Sequence, residues 1–241
     1  MTTLTPAPSA TVSVRPTPRV ALFAVVAAQF VLMFAAFGVL ATSINWPQSL
    51  DLSAAQALPL ITEQAGPVAL GYTLYFLSAF LLIPLAVLTH LALQARTAGG
   101  VWLNVAATFG VLAGLLKLLG IVRWLVAMPA LANAYATGND STRAAAAVMY
   151  DALNNYAGGV GEVLGVQLFA GLWTLMVSLV ILRLPRGRML GGAGLVSAAL
   201  LLAALAQVYG ADLGGLILTI QGLLWQFWLL ALGVTFLRAR R

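Results

Sequence analysis

The chain has 241 residues, 62% hydrophobic and only 7% charged. A soluble domain carries about a quarter charged residues, so a water-soluble globule is excluded. The net charge of +6 does not point to nucleic acid: the basic residues sit at the ends of apolar runs, where a bilayer sets orientation, and form no patch with interleaved aromatics. The absence of cysteine excludes disulfides, thiolate metal sites and cysteine nucleophiles. One histidine, His90, cannot build a multi-histidine metal or haem site within a chain, and no cofactor is implied.

Residues 1–19, MTTLTPAPSATVSVRPTPR, hold four prolines and no acid. They read as a disordered tail ending in Arg15 and Arg19. The apolar run over 20–42 is longer than a signal-peptide core of about 7–15 residues, so it reads as spanning helix 1 and not as a cleaved signal. From Ser43 to Gly66 the chain is mixed. Ser53 and Gln56 form a capping-box pattern, Pro59 should break what starts there, and Trp46 should sit at headgroup depth.

Helix 2 covers 67–93 and helix 3 covers 101–128, with Pro129 kinking or ending it and ALANAYA able to continue as helix. One of Asn139, Asp140 and Ser141 then caps a short amphipathic helix. Its apolar face is expected at Ala145, Met149, Ala152, Leu153 and Tyr156. Helices 4, 5 and 6 cover 156–184, 191–209 and 216–237. Each of the six spans is long enough to cross a core of about 30 Å. The fold class is all-α and polytopic, with short amphipathic helices in the outer loops and no inverted repeat between the halves.

Charge sets the orientation. With the N-terminus inside, Arg15, Arg19, Arg96, Arg183, Arg186, Arg188, Arg238, Arg240 and Arg241 fall on the cytoplasmic side, and Arg143 in an outer loop. Asp51, Glu63, Asp140, Asp151, Glu162 and Asp212 fall at the outer end. Both termini are therefore expected in the cytoplasm.

Lys117, Arg123 and Glu162 are the ionisable groups inside hydrocarbon or at its rim, and such groups are the first place to look for function. Gly110 and Gly114 form a small-residue pair that admits a close helix, and Lys117 projects from the same face. Gly158, Glu162 and Gly165 share a face on helix 4, and Gly161 with Gly165 makes a second small pair. These glycine faces could equally serve dimerisation. By helical rise, Arg123 and Glu162 stand level at about 33 and 31 Å from the cytoplasmic ends, which predicts an ion pair. Lys117, Gln167, Gln207 and Gln221 come out at about 24–26 Å, a possible polar layer.

Catalysis is harder to support, because no Ser–His, paired-aspartate or HExxH arrangement occurs. No catalytic residue and no metal ligand is assigned. His90 reads as an interfacial histidine, and Trp46, Trp124, Tyr135 and Tyr156 as interface anchors.

The segments INWPQSL, GYTLYFLSAFLLIPLAVL, LGIVRW and GLVSAALLLAAL with GLLWQFWLLALGVTFLRAR resemble a family of bacterial six-helix membrane proteins, domain of unknown function 4386. The resemblance implies the six-helix fold and a bacterial inner-membrane location. It carries no activity and no site residues.

Two functions follow as expectations. The first is a non-enzymatic protein whose outward-facing polar pocket around Lys117, Arg123 and Glu162 binds a small anionic or amphiphilic ligand or a lipid headgroup. The second is a structural or regulatory subunit, in contact with a partner membrane protein or a second copy, with Arg123–Glu162 as a staple. An intramembrane enzyme ranks third. Membrane lipids are expected partners in each case.

Overall fold

The computed structural model describes residues 18–97, 100–211 and 213–238, with the side chains of 214–216 left aside. The tail to residue 17, Asp212, Arg240 and Arg241 lie outside the described residues. Among those described, every regular element is a helix.

The helices are α1 (Pro18–Ile44), α2 (Ala54–Glu63), α3 (Ala65–Gln94), α4 (Gly100–Leu125), α5 (Ala127–Thr137), α6 (Asp140–Gly158), α7 (Gly171–Leu182), α8 (Arg188–Ala203) and α9 (Gly214–Arg238). A π-helical segment, Gly159–Ala170, joins α6 to α7 without a break. A 3-10 turn at Gln48–Asp51 precedes α2, and another at Ala204–Tyr209 extends α8. Six of these helical columns are long and apolar enough to cross a membrane. The protein is a polytopic membrane protein built from them.

The spans close into a ring in chain order. α1 packs on α3, α3 on α4, α4 on the π-helical segment, α7 on α8, α8 on α9, and α9 back on α1. Successive spans run antiparallel, so the connections between spans 1 and 2 and between spans 3 and 4 lie at the end opposite the termini, here the cap end. There α2, α5 and α6 pack on one another. Leu58, Ile61, Met128, Ala132 and Tyr150 bury among them, continuous with Leu40, Tyr72 and Trp124 of the spans. A second core around Leu22, Leu85, Trp173, Trp225 and Phe236 fills the terminal end.

Local chemistry explains the helix ends and corrects several expectations. Pro18 is the first residue of α1, where a missing N–H costs nothing, so residues 18 and 19 belong to the helix and not to the tail. The capping box forms, with Gln56 Oε1 accepting from Ser53 N at 3.3 Å and from Ser53 Oγ at 3.0 Å. Pro59, expected to break this helix, lies inside α2. It removes one backbone bond there, which burial of Ala57, Leu58 and Ile61 on either side of it offsets. Pro129 acts as anticipated. Its ring would clash with the carbonyl four residues back, at Leu125, and α4 ends at that residue. Val126 bends the chain and α5 continues through ALANAYA.

The predicted boundary near Tyr156 does not exist. α6, the π-helical segment and α7 form one column, Asp140–Leu182, of 43 residues. At 1.5 Å per residue that is roughly 60 Å, twice the hydrocarbon thickness, so its first turns stand beyond the core. Asn139 is the cap; its side chain accepts from Thr142 N at 3.0 Å. The face buried on α6 is also not the predicted one. Ala146 and Tyr150 are buried, while Met149 is 51% and Tyr156 74% exposed. Asn154 turns the helix this way through bonds to Arg123 and to the loop after α1. Trp124, expected as an interface anchor, is instead a core residue stacked flat on Tyr72 at 4.5 Å.

Candidate functional site

Where α4 meets the π-helical segment, the two backbones touch. A Cβ on Gly120 would lie 2.6 Å from Gly161 Cα and 2.9 Å from Ala157 O. A Cβ on Gly165 would lie 3.0 Å from Lys117 N. The Gly161–Gly165 pair therefore faces α4, as its spacing suggests. Gly120, which supplies the other half of the contact, has no small partner four residues away and escapes a pattern search. Gly110 and Gly114 face the other way, toward Ala86 and Ile83 of α3, and Gly110 also meets Trp173 of α7. All four paired glycines are thus used within the chain. Gly158 makes room for a side chain, since its nearest neighbour is Arg123 Nη2.

This close packing rules out any side chain pointing straight across, and the charged groups take up positions around it. Lys117 lies on the Gly110–Gly114 face and is only 5% exposed. Its ammonium stands 4.8 Å from the Tyr75 ring centroid. No protein acceptor among the described residues bonds it. A cation–π contact is worth about 0.5–2 kcal/mol, and burying an ammonium costs several, so the ring alone does not offset the desolvation.

Arg123 and Glu162 do not pair. Arg123 Nη1 donates to Gly120 O at 2.7 Å and Nη2 to Asn154 Oδ1 at 3.2 Å, and its planar head lies 5.5 Å from the Trp124 ring. Asn154 Nδ2 in turn donates to Leu50 O at 3.2 Å. The guanidinium is committed to fastening α4, α6 and the loop after α1. Glu162 is exposed, and its partner is the Tyr75 hydroxyl, which donates to Oε1 at 3.4 Å. That distance is long for a carboxylate acceptor. The expected ion pair assumed that Glu162 shares the packed face of Gly165. Gly161 and Gly165 occupy that face, and Glu162, one residue on from Gly161, is turned to its flank.

Lys117, Arg123 and Glu162 nevertheless line one cavity, together with Trp46, Tyr72, Tyr75, Trp124 and the loop residue Leu50. Its volume is about 30 Å³ of space open to the centre of a water molecule. About 10–15 Å³ holds one water, so there is room for two waters or for the oxygens of one small anionic group. The lining is rich in donors. Besides the ammonium, Arg123 Nε is buried without a partner, and the Trp46 indole N–H and the Tyr72 hydroxyl have only a loose contact with one another. Trp46, expected as an interface anchor, packs on Phe37 at 4.7 Å and Tyr75 at 6.0 Å and forms part of the cavity wall.

The amides do not join this site. Gln167 and Gln221 are buried, at 4% and 6% exposure, and Gln207 is half-buried in the 3-10 extension of α8. None lines the cavity. Tyr72, Tyr75 and Asn154 are the residues that sequence reasoning missed. Tyr72 and Tyr75 are three apart in GYTLYF, one face of a helix, and that spacing was the available signal. Among the described residues no three His, Asp or Glu side chains gather as metal ligands.

A family model described as a domain of unknown function, DUF4386, matches residues 23–233. The chain belongs to this family. The match reaches into all six spans and covers the cap helices and every residue of the cavity. No curated protein and no solved structure matches the chain.

Proposed function

We propose that this DUF4386 protein is a non-enzymatic binding protein of a bacterial inner membrane. Its cap-end cavity faces outward and takes the anionic end of a small or amphiphilic ligand, a lipid headgroup included. The observation that carries this reading is Lys117, a buried ammonium without a hydrogen-bond acceptor among the described residues, in a cavity where Arg123 Nε also lacks a partner. Buried donors need acceptors, and an anion supplies several at once. Orientation with both termini in the cytoplasm is supported by charge. Arg19, Arg96, Arg183, Arg186, Arg188 and Arg238 belong to the terminal end, and Arg143 to the cap.

The test is binding of a short-chain alkyl phosphate to the detergent-solubilised full chain, followed through the fluorescence of the cavity tryptophans, Trp46 and Trp124. Wild type should show saturable quenching and Lys117→Met should lose it while keeping its thermal unfolding profile. Equal binding by K117M refutes the reading. Co-purification of a partner membrane protein with that variant would then favour a structural or regulatory subunit.

A further inference from the structure

The proposed site has a direction along the membrane normal that a simple anion does not use. Two glycine contacts set the register of α4 against the π-helical segment. Gly120 meets Gly161, and Gly165 meets Lys117 N. Glu162 is three residues from Gly165, so at 1.5 Å per residue it lies about 4 Å nearer the cap end than Lys117. Counted back from Leu182, Glu162 stands roughly 30 Å up its column, at the edge of the hydrocarbon core.

The two groups differ in access as well as in depth. Lys117 is enclosed at 5% exposure, and Glu162 is exposed at the edge of the same cavity. Apolar side chains are exposed on the same two segments, Leu119 at 51% on α4 and Leu164 at 40% on the π-helical segment. From the bilayer interior outward stand the Lys117 ammonium, without a hydrogen-bond acceptor among the described residues, and then the Glu162 carboxylate, which accepts from Tyr75 at 3.4 Å. Capward of both stands the Arg123 guanidinium, whose Nη1 and Nη2 are taken by Gly120 O and Asn154 Oδ1.

An amine-bearing zwitterionic phospholipid has the complementary order. Its phosphate lies nearer the acyl chains and its amine outermost. We propose that the ligand is a zwitterionic amphiphile of the phosphatidylethanolamine class. Its phosphate oxygens reach into the cavity toward the Lys117 ammonium, its amine rests on the Glu162 carboxylate, and its acyl chains lie outside along Leu119 and Leu164. This rests on the anion-binding reading above and adds the amine. The cavity volume of about 30 Å³ admits phosphate oxygens but not a whole headgroup, so the remainder stays at the edge where Glu162 stands. Tyr72, 1% exposed, lines the same space, and its hydroxyl hydrogen, which has no acceptor among the described residues, can be donated to those oxygens.

The experiment is native mass spectrometry of the full chain in mild detergent with equimolar short-chain phosphatidylethanolamine and phosphatidylglycerol. Wild type should retain the ethanolamine lipid by about tenfold over the glycerol lipid. Glu162→Gln should bring the two to near parity with glycerol-lipid binding kept. Lys117→Met should lose both, and Lys117→Gln serves if the methionine variant does not fold. No ethanolamine preference in wild type, or a preference unchanged in E162Q, overturns the amine assignment and leaves the anion site standing. Undiminished binding of both lipids by the Lys117 variants overturns the anion site itself.

Discussion

The contact between Gly120 and Gly161 is the tightest constraint on the cavity, and alanine at position 120 tests it. An alanine Cβ would lie 2.6 Å from Gly161 Cα and 2.9 Å from Ala157 O, both backbone atoms that cannot rotate away. Ordinary van der Waals contact begins near 3.4 Å, so α4 and the π-helical segment must separate by close to 1 Å. Overpacking of this kind costs about 1–3 kcal/mol. Alanine also gains about 1 kcal/mol of helix propensity over glycine, so the comparison needs a reference that shares this gain. Gly192 on α8 supplies it, because nothing lies within 4 Å of a Cβ there. Thermal unfolding in one detergent should place G120A below G192A by about 1–3 kcal/mol. G161A should fall between them, since its Cβ meets Gly120 Cα at 3.1 Å. The reasoning is refuted by a G120A protein as stable as G192A.

Three further outcomes follow. Asn154→Leu removes the acceptor for Arg123 Nη2 and the donor to Leu50 O; it should cost about 1–3 kcal/mol and raise protease sensitivity between α1 and α2, and intact protection there would show that Asn154 does not fasten the loop. Glu162→Gln should change thermal stability by less than about 0.5 kcal/mol, as expected for an exposed group without an ion pair; a loss of several kcal/mol would reinstate the staple. The chain has no cysteine, so single cysteines report access cleanly: M149C should react with a soluble maleimide and A146C should not, and the reverse would restore the predicted face of α6.

Much of the scaffold is legible in the sequence, because crossing a bilayer is a requirement on length and polarity that a run of residues either meets or fails. All six spans, the break that Pro129 imposes on the third, the Ser53–Gln56 cap and the glycine face at Gly161 and Gly165 follow from local rules, although the third span was expected to reach residue 128 and its helix ends at Leu125. The same uniform hydrophobicity hides the rest. Helices apolar on every side carry no periodic signal for which face is buried, so Trp124 reads equally well as an anchor or as core. Counting along a helix gives depth but not azimuth. It places Lys117, Arg123 and Glu162 near one another, yet it cannot show that Asn154 and the Gly120 carbonyl take the guanidinium while Glu162 turns to the flank.

By itself, then, the sequence determined a six-span bundle and the few charged side chains near its cap end, since hydropathy and charge act residue by residue. The tertiary structure alone decided that Arg123 and Glu162, expected to pair beside Lys117, take other partners. It also decided that tyrosines and a loop tryptophan complete the cavity wall and that α6 runs unbroken into the membrane. Each of these depends on the rotation and register of one helix against another, set by contacts between residues far apart in the chain.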